Sequence, residues 1–198
     1  MVLDNVQGIE APPRKAKYGD AMLDLETLGV GTDAAVVSVG LVCFDEDGPD
    51  LGASLHLSFR PAYGNDVRFG KIELGTVKWW LQQSHEARSG LIEKIEAGDS
   101  PIIVCQSIIE FAKHFDVKRL WSNGPSFDER LLHELFDRCG PAWPFAYNAG
   151  RDYRTIRDVG AALNVTEVPR AAGVAHDALS DAVHQANNVV AVLRALRG

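Results

Sequence analysis

Met22-Leu23-Asp24-Leu25-Glu26-Thr27, near the start of a 198-residue chain, is apolar at three positions and acidic at two. In an extended strand positions i and i+2 point to the same face, so Asp24 and Glu26 project together. Two carboxylates on one face repel each other unless something neutralises them. A hard divalent ion such as Mg²⁺ or Mn²⁺ is the usual partner for carboxylate oxygens. An exposed acidic edge strand carries the same D-x-E pattern without a ligand, so the pair needs support from elsewhere in the chain.

Around that stretch the pattern is β-rich. Runs 21–26, 34–44 and 54–59 read as strands, and the second holds Val36, Val37, Val39 and Val42, the β-branched composition of a buried strand. The acidic turn Asp45-Glu46-Asp47-Gly48-Pro49 predicts an antiparallel meander. The period then changes to 3.6. One helix is expected around Val77, Trp80 and Leu81, and another over 87–95. A third opens at Ser100-Pro101 and runs through Phe115. Positions 117–121 read as a short strand, 128–139 as a helix closed by Gly140-Pro141, and 177–196 as a last helix with Val183, Ala186, Val190 and Leu193 on one side. This order predicts an α/β layer fold, a mixed central sheet flanked by helices. Gly29-Val30-Gly31-Thr32-Asp33-Ala34 imitates a dinucleotide-binding turn, but that turn must open a helix and β-branched residues follow instead. It reads as a plain hairpin turn.

The length predicts one domain, able to bury roughly 70% of its unfolded surface without disulfides or structural zinc. Residues 1–20 read as a flexible leader and 21–198 as the folded domain. Cys43, Cys105 and Cys139 are odd in number and form no CxxC pair, which fits a reducing, cytoplasmic setting. No apolar run reaches the length of a membrane span. With 20 Lys+Arg against 27 Asp+Glu the formal charge is −7, which argues against gripping nucleic acid by bulk positive charge.

Two further sites join the acidic pair. After the strand at 117–121, Ser122-Asn123-Gly124-Pro125-Ser126 is a turn, and Asp128 falls in the first turn of the following helix, at a strand's carboxyl end. In Ala175-His176-Asp177-Ala178-Leu179-Ser180-Asp181, His176 and Asp181 are five apart, about 140° around a helix, so they do not share a face. With Asp177 as N-cap, His176 lies on the preceding loop and leans over the site while Asp181 points in from the helix.

Taken together, Asp24-Leu25-Glu26-Thr27, the segment from Asn123 to Asp128, and His176-x4-Asp181 resemble the three motifs of the DEDDh 3′-5′ exonucleases, in the RNase T and polymerase-proofreading superfamily with its RNase H-like fold. Val77-Lys78-Trp79-Trp80-Leu81-Gln82-Gln83-Ser84-His85-Glu86-Ala87-Arg88 and Arg151-Asp152-Tyr153-Arg154-Thr155 look like the phage-type, RNase T-like members. The resemblance implies a metal-dependent exonuclease acting on single-stranded or 3′-overhang RNA or DNA and releasing nucleoside 5′-monophosphates. It implies two Mg²⁺ or Mn²⁺ ions, with Asp24 bridging, Glu26 and Asp181 holding the first, Asp128 acting mainly through water, and His176 as general base. Neighbouring carboxylates are expected to raise the His176 pKa unless metals offset them.

For substrate contacts, Thr27 and Asn123 lie in the motifs, Leu28 is placed to wedge against the terminal base, and Phe127 or Trp80 offers a stacking face. Trp79 and Trp80, adjacent in a helix, should not both line a groove. Arg88, Arg151 and Arg154 are candidate phosphate contacts. A homodimer fits the same family. Two other readings share parts of the pattern: an RNase H-type endonuclease, against which His176-x4-Asp181 speaks, and a catalytically silent module of the same fold. Two bound divalent ions would take the charge of −7 to about −3, so acidity does not exclude a nucleic-acid substrate. It predicts weak, salt-sensitive, distributive binding.

Overall fold

The computed structural model describes residues 18–60, 70–170 and 176–198. Among them β1 (Asp20–Thr27), β2 (Val36–Asp45) and β3 (Gly48–Ser58) form an antiparallel meander. Then come α1 (Leu74–Leu81), α2 (His85–Ala97), α3 (Pro101–His114), β4 (Arg119–Ser122), α4 (Asp128–Cys139), β5 (Gly150–Asp152), α5 (Tyr153–Ala162) and α6 (Ala178–Arg197). The sheet order is β3-β2-β1-β4-β5, antiparallel through β1 and parallel from β1 to β5. The expected mixed α/β sheet is therefore present.

Strand alternation sorts the core. Ala21, Leu23 and Leu25 of β1 join Val39 and Leu41 of β2 under α3 and α4, with Ile108, Leu131 and Phe136. On the opposite face Met22 meets Val42, Phe44, Tyr153, Ala182 and Ala186, beneath α5 and α6. Asp24 and Glu26 share the parity of Met22 and so face the α6 side. A third cluster, Leu28, Ala35, Val37, Trp80 and Ala87, seats α1 and α2 beside the end of β1. The strand β2 is buried on both faces up to Phe44, as its valines anticipated.

Three expectations are corrected. The meander turn shrinks to Glu46-Asp47, because β3 pairs with β2 from Gly48 onward rather than from 54. The pair β5–α5 was not anticipated, since a three-residue strand carries no period and is held by pairing with β4. The folded part also starts before residue 21. Tyr18 packs on Phe115, and Asp20 accepts hydrogen bonds from Arg119 and from the Trp121 indole. Residues 1–17 of the expected leader lie outside the described residues. The glycine-containing segment at 29–34 is a turn leading into β2, with Ala34 bridged to Lys71. Among the described residues no helix is long and apolar enough to cross a membrane.

Gly40 lies opposite Asp24 in the β1–β2 register. A methyl group there would fall inside the backbone of Ala178 and Leu179, so this glycine is what lets the start of α6 touch the sheet. Gly40→Ala should therefore cost about 1–3 kcal/mol, the usual range for overpacking, and loosen α6. A denaturation midpoint equal to wild type would contradict this.

Candidate active site

The site forms where the end of β1 meets the first turns of α6. Oxygens of Asp24, Glu26 and Asp181 all lie within 4.8 Å of one another. Asp177 caps α6, its side chain accepting from the Ser180 N–H at 3.0 Å, and this sets the rotation that aims Asp181 at the strand. One turn further along the same face, Gln185 donates from Nε2 to Asp24 Oδ1 at 2.8 Å. Its Oε1 is buried without a hydrogen-bond partner among the described residues.

Asp128 arrives from the other side of β1. The strand β4 runs parallel to β1 and ends at Ser122, and Gly124, with φ +140°, reverses the chain into α4. The carbonyl of Gly124 accepts from the Phe127 and Asp128 N–H groups, which starts the helix without a side-chain cap. Asp128 is 5% exposed and lies outside the tight trio, yet its charge acts on both Asp24 and Glu26.

Burial dominates the electrostatics. Glu26 and Asp128 are each pushed up to about 7, mainly by desolvation. Asp24 is raised well above the usual carboxylate range by burial, and further by Asp128 and Glu26. Three cations temper the cluster: Arg170 pairs with Asp181, the Lys94 charge lowers Glu26, and the Arg154 charge lowers Asp128. The donor set is all oxygen, mutually close and poorly hydrated. It fits a hard divalent cation at Asp24, Glu26 and Asp181.

His176 sits on the loop before α6 with φ +64°, left-handed and unusual for a non-glycine residue. Its ring centroid is 4.8 Å from that of Trp79 and 5.9 Å from that of Trp80, both edge-on. The expectation of a raised His176 pKa is corrected. Burial lowers it and Arg170 lowers it further, the carboxylates not being among its main influences.

Beside Glu26 opens an apolar cavity of about 430 Å³ whose lining includes Leu25, Thr27, Gly29, Trp79, Trp80 and Phe127. Both tryptophans line it, contrary to the expectation for adjacent helical positions. Their indoles are edge to face at 5.1 Å, and a ring that wide reaches across the 100° between neighbours. Trp80, 3% exposed, forms the floor and donates from Nε1 to the Thr27 carbonyl at 2.9 Å, whereas Trp79 is 42% exposed at the mouth. Leu28 is corrected from its wedge role: it is 7% exposed, packs with Val37 and Trp80, and does not line the cavity. Thr27 turns its hydroxyl to the Gly29 carbonyl. Asn123 is half-buried in the turn before α4.

Of the arginines, Arg154 stands at the site, its guanidinium against Gly124 and its charge on Asp128. Arg88 instead donates to the Leu81 and Gln83 carbonyls and closes the turn between α1 and α2. Arg151 donates to the carbonyls of Asn148, Ala149 and Gly150. Sequence reasoning missed Arg170, Lys94 and Gln185. Gln185 left a faint trace as a polar residue one turn after Asp181, between Ala182 and Ala186; the other two left none.

The sequence matches the family described as the 3′-5′ exoribonuclease Rv2179c-like domain over residues 19–193. It is 26% identical over 133 residues to the exodeoxyribonuclease of Enterobacteria phage T4, covering 59% of this chain and 55% of that relative. The chain thus spans about half the length of that curated relative. The nuclease domain of 3′hExo, a DEDDh family member bound to rAMP, superposes with a TM-score of 0.61 at 12% identity, covering 88% of this chain and 91% of that one. The Mg²⁺- and Mn²⁺-bound form of S. pombe Pop2p gives 0.56 at 14% identity, covering 89% and 83%. These likenesses show the fold, an RNase H-like mixed sheet. The family match covers most of the chain: it belongs to the 3′-5′ exoribonuclease Rv2179c-like domain family.

Proposed function

We propose that this protein is a divalent-metal-dependent 3′-5′ exonuclease that removes nucleoside 5′-monophosphates from single-stranded or 3′-overhang ends. The convergence of Asp24, Glu26 and Asp181 within 4.8 Å carries the reading. It is supported by the neighbouring apolar cavity of about 430 Å³, which offers the aromatic faces of Trp79, Trp80 and Phe127, with His176 packed edge-on against Trp79. Both RNA and DNA are candidate substrates: the family is described by exoribonuclease activity, and the phage relative by exodeoxyribonuclease activity.

Asp24, Glu26 and Asp181 would hold the metal directly, and Asp128 mainly through water. When bound there, divalent metal would supply charge neutralisation for the attacking and leaving oxygens of an in-line displacement. Gln185 fixes the plane of the Asp24 carboxylate through Oδ1. Trp79, Trp80 and Phe127 take the terminal base, a contact worth about 1–3 kcal/mol per base. Arg154, beside Asp128, faces the phosphate. His176 takes the proton from the attacking water. Its lowered pKa keeps the ring neutral near pH 7, the form a general base needs.

The raised carboxylates make a signed prediction without metal. A group whose folded pKa lies above its unfolded value binds more protons when folded, so stability falls as pH rises from about 4.5 through about 7. The lowered His56 and His176 pull the other way, so the effect is read against Glu26→Gln. In EDTA, wild type should lose more Tm between pH 5 and 8 than that variant does, at about 2–4 °C for each kcal/mol. Mn²⁺ at pH 8 should restore the Tm of wild type. Parallel Tm profiles, with no response to Mn²⁺, would overturn the metal site.

Activity is tested with 5′-labelled RNA and DNA oligonucleotides, Mg²⁺ and an EDTA control. A ladder shortening by one nucleotide is expected, and Asp128→Asn should abolish it. A single internal cut would favour the endonuclease, and no cleavage with any metal the silent module. His176→Ala should keep Mn²⁺ affinity while losing roughly 10²–10⁴ in kcat. At saturating metal the acid limb of the wild-type kcat profile should fall below pH 6.5 and vanish in that variant.

A further inference from the structure

A left-handed, non-glycine residue costs about 1–2 kcal/mol and persists only where its surroundings over-determine it. His176 is such a residue, and its ring is held on one side by Trp79 and Trp80. A cavity of about 330 Å³, with Ser58, Gly90, Lys94, Ala97, His176 and Asp177 in its lining, separates α2 from the loop. What spans that gap is polar. Asp177 divides its carboxylate: Oδ1 caps α6, while Oδ2 accepts from Lys94 Nζ at 2.9 Å. His56 Nε2 of β3 lies 3.6 Å from the same Oδ2.

Lys94 comes from the last turn of α2, and its side chain is only 16% exposed. Burying an ammonium is costly without a matched partner, and Asp177 supplies one across 83 residues. The same ammonium acts on Glu26, so one cation is shared by the residue that caps the histidine loop and a carboxylate of the trio. Its neighbours Leu91 and Ile95 pack with Trp80. The helix that places the aromatic wall of His176 therefore also places the ionic clamp behind it.

We infer that Lys94 is a positioning residue: through Asp177 it sets the backbone of His176 and thereby the register of the general base against the carboxylate trio. The inference rests on the exonuclease reading for its catalytic consequence, but the geometry it asserts can be measured without activity.

The test compares Lys94→Met, Lys94→Arg, Asp177→Asn and the double variant Lys94→Met/Asp177→Asn. Asparagine keeps the N-cap and loses the charged clamp. Two readouts are taken. The first is the NMR position of the His176 ring protons, which the two indoles displace by their ring currents. In Lys94→Met and Asp177→Asn it should move back toward the random-coil position, and in Lys94→Arg it should stay near wild type, the cavity accommodating the larger head. The second is steady-state kinetics: both single variants should lose roughly ten- to hundredfold in kcat with KM little changed, since a displacement of about 1 Å can cost 10²-fold. The double variant should lose no more than either single one.

An unmoved His176 resonance overturns the inference, and so does an unreduced kcat in an active wild-type background. If Lys94→Met fails to fold, Asp177→Asn decides by the same two readouts. If wild type cleaves nothing under any metal, the exonuclease reading falls, and the resonance alone decides whether the clamp positions His176.

Discussion

Like-charge repulsion in a poorly hydrated place is the constraint on which this molecule is organised. Asp24 and Glu26 leave β1 on one face, Asp181 meets them from α6, and Asp128 closes in from α4. No isolated segment would hold such groups together. The sheet does so because β1 is its centre, paired on both edges, so its carboxylates cannot turn away to solvent. Leu23 and Leu25 on the reverse face and Met22 beside Ala182 and Ala186 lock the strand's rotation. Hydrophobic burial on both sides of β1 thus offsets the electrostatic cost of the site.

The surrounding cations are distributed to match. Arg170 meets Asp181, Lys94 pairs with Asp177 and acts on Glu26, and Arg154 attends Asp128. Each comes from a different part of the chain: the segment leading to α6, helix α2 and helix α5. The partial compensation leaves the carboxylates short of full neutralisation, which is the condition under which a divalent ion binds with most gain. Aromatic residues then define the open side. Trp79 and Trp80 serve both the cavity beside Glu26 and the ring of His176, so in the proposed mechanism base recognition and proton transfer would share one wall.

The net charge of −7 has to be read with this arrangement in view. Much of the acidity that matters is internal and directed at one point. On the proposed reading, a strand held here would rely on stacking in the apolar cavity and on a few local cations rather than on a broad basic track.

Much of this was legible in the chain itself. Period-two alternation put Asp24 and Glu26 on one face, the valines of β2 marked an interior strand, and Asp177 announced the cap that separates His176 from Asp181. Such features depend on residues at most a few positions apart, where backbone geometry dictates direction. Tertiary structure alone decided the rest. Leu28 went into the core because Trp80 donates to the carbonyl just before it. Both tryptophans reached the cavity because α1 is tied to the end of β1 through the Trp80 indole and the Thr27 carbonyl, and β5 exists only because β4 pairs with it. The lowered pKa of His176, the Lys94–Asp177 pair and the Gln185–Asp24 hydrogen bond join groups up to 161 residues apart. Desolvation and partner choice at that range are properties of packing, which no local pattern encodes.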